Sequence, residues 1–193
     1  MLVVGDVHGN ERAGEAIVAR LRRSHPRGVQ LWLVRTANPD SRVRQNAHGV
    51  DLNRNFPWRW RPGPRGTYYP GPRPASEPET RALMRLVRRI RPQFAVYYHQ
   101  HLRMVVREQG VDPAVERAYA RRVNLPLGTL PRYHGTAVGW ENHVVPGGSA
   151  FVVELPAGPA RPAEARRHAA AVLALARVRF ARHARRAGPP RGD

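Results

Sequence analysis

The chain has 193 residues, enough for one domain, and 41% of them are apolar, so it can bury a real core. It has no cysteine, which excludes disulfides and thiolate metal sites and leaves His and carboxylates to hold any metal. The formal net charge is +19, but all 33 basic residues are Arg and they are spread along the chain, so we expect neither nucleic acid nor a membrane as the main partner.

The chain opens with alternating strands and helices. Residues 1–5 and 29–34 read as short buried strands, and residues 11–23 carry apolar side chains at helical spacing. This order predicts a parallel strand–helix–strand unit. No signal peptide precedes the first strand and no apolar run could span a membrane, which predicts a cytoplasmic protein. The abrupt start on a strand indicates that N-terminal strands are missing.

A long segment, residues 36–75, shows no convincing regular element, and loops of this length are usually functional. Ser76 followed by Pro and acidic residues predicts the N-cap of a helix that runs to about residue 90. Residues 94–98 form the next predicted strand, which delivers His99 at its carboxyl end.

The last third predicts a helix from Pro113 to about residue 123, a strand at 150–153 and a long helix from 162 to about 185. The fold class is therefore α/β, with a mixed, mostly parallel sheet flanked by helices. We expect one domain over residues 1–187 and a disordered tail over 188–193. Ligands of such sheets bind beyond the carboxyl ends of strands. His8, His99 and Glu154 all fall there.

Two segments carry residues that suit a metal. His8 and Glu11 lie three apart just past the first strand, so their side chains can turn towards one point. His99 and His101 follow a strand and, in extended backbone, point the same way, with Gln100 opposite. Catalytic zinc uses three N or O ligands and keeps one position open. These residues could supply such a set, and either histidine of the second segment could belong to it.

Two further segments carry residues that suit a substrate and a proton. Asn53 and Arg54 lie side by side in the long loop, and a guanidinium beside an amide can grip a carboxylate by paired hydrogen bonds. Glu154 follows the apolar run Phe151-Val152-Val153. Apolar surroundings raise the pKa of a carboxyl group, as a general base requires.

The segments VVGDVHGNE, RQNAHGVDLNRNFP, YYHQ and AFVVELP occur in this order, and together they resemble the M14 family of zinc carboxypeptidases, in its murein-peptide amidase-like branch. The resemblance implies a zinc carboxypeptidase-like α/β/α sandwich and one Zn²⁺ held by His8, Glu11 and His99. It also implies that Glu154 is the general base and acid. Asp6 stands where the family commonly has a small or apolar residue; it is either a hydrogen-bond partner for a ligand histidine or a chance departure without a role in the site.

The resemblance also assigns the substrate contacts. Arg44 resembles the arginine that stabilises the oxyanion, although the stretch before it is shortened, which leaves Arg42 as an alternative. Asn53 and Arg54 resemble the pair that binds the terminal carboxylate of the substrate, and Tyr133 resembles the mobile tyrosine that closes over it.

The implied function is a zinc metallocarboxypeptidase that cleaves a peptide or amide bond near a free C-terminal carboxylate. The substrate implied is a peptide, with an acidic murein peptide bearing diaminopimelate as the form that the branch indicates. Two alternatives stay open: an N-acyl amino acid deacylase, such as a desuccinylase, with the same zinc site, and an inactive Arg-rich protein that binds nucleic acid or a cell-wall polymer.

Overall fold

The computed structural model describes the backbone of residues 1–186 and the side chains up to Arg177. The strands are β1 Leu2–Val4, β2 Trp32–Val34, β3 Ala95–Val106, β4 Leu127–Gly128 and β5 Ala150–Pro156. The helices are α1 Ala13–Leu21, α2 Pro78–Ile90, α3 Pro113–Val123, α4 Ala137–Val144 and α5 Pro162–Arg186. A single 3₁₀ turn, Leu52–Arg54, interrupts the long loop in this part of the chain. The predicted tail, residues 188–193, lies outside the described residues.

The strands form one sheet in which β1 lies between β2 and β3, and all three run parallel. Strand β5 pairs with β3 along two stretches. Ala95–His101 match β5 in ascending order, whereas Leu102, Met104 and Val105 match Pro156, Glu154 and Val153 in descending order. Strand β3 therefore turns back after His101 and pairs with both edges of β5. The prediction of a mixed, mostly parallel sheet is confirmed.

Helices cover both faces of the sheet, because alternate strand residues point to opposite sides. On one face, Val3, Tyr98 and Val153 pack under α1, α3 and α5. On the other face, Val4, Tyr97 and Val152 pack under α2, α4 and part of the long loop. The predicted three-layer sandwich is confirmed. In the described residues, no helix is long and apolar enough to cross a membrane.

The elements differ from the predictions in several places, and the two-residue strand β4 was not predicted. The prediction of Ser76 as an N-cap is wrong: α2 begins at Pro78, Glu77 holds the N-cap position without a side-chain cap bond, and Ser76 donates to the Glu77 carboxylate. Strand β3 continues beyond residue 98 because its second half pairs with β5 and β4. Helix α4 was not predicted; the Thr136 hydroxyl caps it by accepting from the Gly139 amide.

Buried amides hold the long loop in place where regular hydrogen bonding is lacking. The Nδ2 of Asn55 donates to Pro70 O at 2.7 Å and to Ser76 Oγ at 2.9 Å. The Nδ2 of Asn46 donates to Glu77 Oε2 at 2.8 Å. Buried amides that make several such bonds rigidify a segment. The loop therefore presents Asn53 and Arg54 from a fixed support.

Candidate metal and substrate site

The candidate site lies where β1, β3 and β5 deliver polar side chains to the same edge of the sheet. His8 follows β1 in a turn closed by a hydrogen bond from the Glu11 amide to His8 O. His99 lies within β3 and Glu154 lies directly opposite it on β5. Gly9 allows the long loop to approach, because a Cβ there would collide with Ser41 O. The sheet and this close approach therefore gather residues that are far apart in sequence.

Two histidines converge on one carboxylate. Glu11 Oε2 lies 3.0 Å from His8 Nδ1 and 2.8 Å from His99 Nδ1. Ligand atoms of the three side chains lie within 4.8 Å of one another, and all three residues are buried. The amide of Gln100 also donates to Glu11 Oε2, at 3.3 Å. The structure thus brings the three predicted metal ligands to one point.

The donor set fits a zinc ion. Two imidazole nitrogens and one carboxylate are ligands that Zn²⁺ takes in catalytic sites. Although His8 Nδ1 lies close to Glu11, it is buried and makes no hydrogen bond in the described part of the chain. Burial alone would raise the pKa of Glu11, but the adjacent imidazoles of His8 and His99 hold this pKa well below its usual range. The carboxylate therefore stays charged, as a ligand must.

Asp51, which was not predicted, orients one of the histidines. Its Oδ1 lies 3.1 Å from His8 Nε2 and accepts from the Asn53 amide, and its Oδ2 accepts from Arg44 Nε at 2.9 Å. Burial raises the pKa of Asp51, but the hydrogen bond with His8 outweighs it, so the pKa is lowered. A carboxylate on the far nitrogen fixes the ring and tautomer of a ligand histidine.

The carboxylate of Asp6 is hydrogen-bonded to a loop residue. Its Oδ1 accepts from the Thr36 hydroxyl at 2.7 Å, and its Oδ2 has no hydrogen-bond partner among the described residues. Burial raises the pKa of Asp6 to about 7. Of the two alternatives for Asp6, contact with a ligand histidine is therefore excluded. Asp6 is close to His8 in sequence, but the carboxylate that contacts His8 belongs to Asp51, which lies 43 residues away along the chain.

The structure places Arg44, and not Arg42, beside the histidine cluster. Arg44 Nη1 lies 3.3 Å from Glu11 Oε1, and the side chain lines the same cavity as the cluster. Arg42 is exposed and does not line it. This geometry favours Arg44 of the two arginines.

Asn53 and Arg54, the pair predicted to bind the carboxylate of the substrate, also line the cavity. Asn53 Oδ1 accepts from the Ala137 amide at 2.9 Å, so its NH₂ group is what it offers to a ligand. The Arg54 guanidinium lies 4.2 Å from the centre of the Tyr133 ring and donates to Asn53 O at 2.8 Å. Tyr133 is half exposed. It covers Arg54 as a tyrosine at the mouth of a pocket would.

Glu154 is buried at the end of β5, and its Oε2 accepts from the Leu102 amide at 3.4 Å. Burial raises the pKa of Glu154, and the charge of His99 only partly opposes this effect. The expectation that His99 and His101 point the same way is wrong, because β3 turns back there: His99 is buried and His101 is exposed. Only His99 joins the metal cluster.

A single cavity of about 820 Å³ connects these residues. Its lining includes all eight predicted site residues: His8, Glu11, Arg44, Asn53, Arg54, His99, Tyr133 and Glu154. A volume of this size accommodates a small peptide.

Comparison with known proteins agrees with this geometry. Residues 22–113 match the family model described as zinc carboxypeptidase, peptidase M14. The chain is 34% identical to murein peptide amidase A of Escherichia coli K12 over 149 residues, which are 68% of this chain and 61% of that protein. It thus spans about three fifths of the relative's length.

Solved structures show the same fold. The murein-tripeptide amidase of E. coli O157 superposes with a TM-score of 0.71 at 27% identity, over 92% of this chain and 79% of that one. Bovine thrombin-activatable fibrinolysis inhibitor superposes with a TM-score of 0.73 at 18% identity, over 96% of this chain and 82% of that one. The second likeness concerns the fold alone. Together with the matching segments and the site, these comparisons show that the chain is similar in sequence and in fold to the M14 family of zinc carboxypeptidases.

Proposed function

We propose that the protein is a zinc-dependent metallocarboxypeptidase that hydrolyses a peptide or amide bond next to a residue with a free C-terminal carboxylate. One observation carries the proposal. A buried His–Glu–His cluster, a carboxyl group of raised pKa and an Asn–Arg pair line a single cavity. Metal ligands alone would permit many reactions. A carboxylate grip in the same cavity restricts the reaction to the end of a chain.

His8, Glu11 and His99 would hold the zinc ion, and Asp51 would orient His8. A zinc ion in this position polarises a substrate carbonyl and lowers the pKa of water. Each ligand is buried and supported by hydrogen bonds, so little rearrangement is needed before binding.

Glu154 would move the protons of the reaction. Its raised pKa lets it take a proton from the attacking water and then donate that proton to the leaving amine. Arg44 would donate hydrogen bonds to the carbonyl oxygen as negative charge develops on it. Asn53 and Arg54 would bind the terminal carboxylate, with Tyr133 closing over it.

Two observations support a peptide of the cell wall as the substrate. Murein peptide amidases of Escherichia coli and Vibrio campbellii are among the relatives that the chain matches, although the chain spans only part of their length. In addition, five arginines line the cavity, and such a field attracts the carboxylates of an acidic peptide. They are Arg44, Arg54, Arg59, Arg107 and Arg132.

The decisive experiment compares the wild type with Glu154→Gln on a panel of C-terminal dipeptides, murein tripeptide and an N-succinyl amino acid. Because Glu154 is outside the ligand set, the variant should keep its zinc. Its kcat should fall roughly 10²- to 10⁴-fold, the usual contribution of general acid–base catalysis. The matched control is Glu164→Gln, which removes a carboxylate in the first turn of α5, away from the cavity.

Three results would contradict the proposal. Equal kcat in the wild type and Glu154→Gln would remove Glu154 from the mechanism. Turnover of the N-succinyl amino acid without turnover of any peptide would make the protein a deacylase. Purified protein that neither holds zinc nor responds to chelation would favour an inactive binding protein.

A further inference from the structure

Tyr68 is an exposed aromatic residue to which the proposed reaction gives no role. Its side chain is 63% exposed and lines the cavity. The Cζ atom of Arg44 lies over its ring, 4.9 Å from the centre, and the Cζ atom of Arg54 lies 5.8 Å from the same point. Both distances are within the range of about 6 Å in which a ring face attracts a cation. One ring therefore contacts both of the arginines that would bind the substrate.

The backbone around Tyr68 is fixed to the rest of the long loop. The Tyr69 amide donates to Gly66 O at 3.0 Å, which closes a turn that includes Tyr68. Gly66 O also accepts from the Gln45 side chain at 3.0 Å, and Tyr69 O accepts from the Asp51 amide at 2.8 Å. These bonds join the turn to the part of the loop that carries the two arginines. The ring is therefore held in place although it is exposed.

The two guanidinium groups that share this ring repel each other. Burial lowers the pKa of Arg54; the charge of Asp51 opposes this effect, and the charge of Arg44 adds to it. Arg44 has an ion pair with Asp51, at 2.9 Å, but within residues 1–177 no carboxylate forms an ion pair with Arg54. The rings of Tyr68 and Tyr133 are what attract the Arg54 guanidinium instead.

An aromatic ring suits this position because it leaves N–H groups of the arginines available. A guanidinium can stack on an aromatic face, whereas a carboxylate would accept hydrogen bonds from its N–H groups. Arg44 already donates from Nε to Asp51 and from Nη1 to Glu11, and Arg54 donates from Nη1 to Asn53 O. In the described part of the chain, the Nη2 groups of both arginines have no acceptor. A substrate carbonyl and a terminal carboxylate could accept from them.

We propose that Tyr68 is a positioning residue whose ring holds Arg44 and Arg54 together, so that one substrate can contact Arg44 with its scissile carbonyl and Arg54 with its terminal carboxylate. The inference rests on the proposed function, which gives the two arginines these contacts. The ring has this role and the hydroxyl does not, since the hydroxyl makes no hydrogen bond within residues 1–177. Loss of the ring should therefore weaken carboxylate binding and slow the chemical step.

The first test compares zinc-loaded wild type, Tyr68→Phe and Tyr68→Leu in peptide hydrolysis and in inhibition by the product amino acid. The product has the terminal carboxylate but no scissile carbonyl, so its inhibition constant reports on Arg54, whereas kcat reports on Arg44. Tyr68→Leu should raise the inhibition constant and lower kcat, each by about 3- to 10-fold, because the cation–π contacts are lost. Tyr68→Phe keeps the ring and should keep both values within about twofold of wild type.

The second test determines whether Tyr68 acts on kcat through Arg44. In protein that carries Arg44→Gln, adding Tyr68→Leu should change the residual kcat by less than about twofold, because the guanidinium that the ring holds is already absent. The matched control is Tyr69→Leu, which removes the neighbouring ring. That ring lies over Arg65 and does not line the cavity, so kcat and the inhibition constant should not change.

Three results would overturn the role of Tyr68 and leave the peptidase standing. Wild-type kcat and inhibition constant in Tyr68→Leu would mean that the ring does not hold the arginines. Equal losses in Tyr68→Phe and Tyr68→Leu would assign the effect to the hydroxyl. An equal loss of kcat from Tyr68→Leu with and without Arg44 would mean that the ring acts independently of this arginine. A zinc-loaded wild type that hydrolyses no peptide overturns both the role and the function.

Discussion

Two adjacent residues of β3 belong to two buried polar clusters that lie on opposite faces of the sheet. His99 joins His8, Glu11 and Asp51 at the edge of the cavity. Tyr98 points the other way, and its hydroxyl lies 2.7 Å from that of Tyr119, which in turn lies 2.8 Å from His168 Nδ1. Helices α1, α3 and α5 enclose this second cluster within the apolar core.

The pKa of the buried histidine is shifted in opposite directions in the two clusters. Burial lowers the pKa of His8, but the carboxylates of Asp51 and Glu11 outweigh it and raise the pKa overall. Burial, with the charge of Arg167 acting in the same direction, lowers the pKa of His168 to about 4. In the first cluster, carboxylates surround the imidazole nitrogens and the cluster opens to the cavity, so it is suited to bind a cation. A neutral chain of hydroxyls and imidazole, sealed from solvent, serves only the packing of the core.

The largest effect should follow from neutralising the shared carboxylate of the first cluster. Glu11→Gln keeps the shape of the side chain but removes the charge that both histidines contact. The variant should purify without zinc. Loss of the several kcal/mol that a metal contributes to transition-state stabilisation predicts a fall in kcat/KM of at least about 10³-fold. Metal analysis and peptide hydrolysis measure the two effects.

The matched control is Glu15→Gln, which changes a carboxylate on α1 that pairs with Arg12 and Arg35 instead of the histidines. It should keep its zinc and its activity. If Glu11→Gln also held one zinc per chain, the assignment of the first cluster as a metal site would be wrong.

The second cluster predicts a dependence of stability on pH. As pH falls past 6.5, the unfolded chain protonates His168, whereas the folded protein resists protonation until pH about 4. Acid therefore favours unfolding through this group: its contribution is complete above pH 6.5 and is lost as pH falls towards 4. The difference in pKa corresponds to about 3 kcal/mol of unfolding free energy.

Denaturant unfolding of zinc-free protein between pH 4 and 7 tests this expectation. His168→Gln keeps an acceptor for Tyr119 but cannot titrate. As the pH is lowered from 7 to 4, the wild type should therefore lose more unfolding free energy than the variant does. His25→Gln, at an exposed position, should not alter the pH dependence. A difference between wild type and His168→Gln that does not vary with pH would contradict a neutral His168 in the core.

The family resemblance implied His8, Glu11 and His99 as metal ligands, and the structure brings them together because parallel strands end at one edge of a sheet. The sequence did not predict Asp51 in this role, since nothing local links a loop residue to a histidine 43 positions away. The extension of β3 was missed for a related reason: its polar residues from Gln100 to Arg103 form the turn that lets the strand pair with both edges of β5.

Helix α4 and Tyr68 show another limit of local patterns. Helix α4 contains a glycine and two valines, which have weak helix propensity, and packing of Val138 and Trp140 against the sheet stabilises it. The Thr136 cap was the available signal. In the sequence, Tyr68 is an ordinary aromatic residue of a loop, and only the fold places its ring over two arginines of the cavity.

The smallest effect in the first cluster should come from Asp51, which supports a ligand without being one. Asp51→Asn weakens the bond to His8 Nε2 and the ion pair with Arg44, while an asparagine can still cap the Asn53 amide. Zinc affinity should fall about 10- to 100-fold, the usual loss for a partner of a ligand histidine. Competition with a chelator measures it, and Asp40→Asn, at an exposed position of the same loop, is the control. Unchanged affinity in Asp51→Asn would mean that His8 is held by the turn after β1 alone, and that the carboxylate serves Arg44 instead.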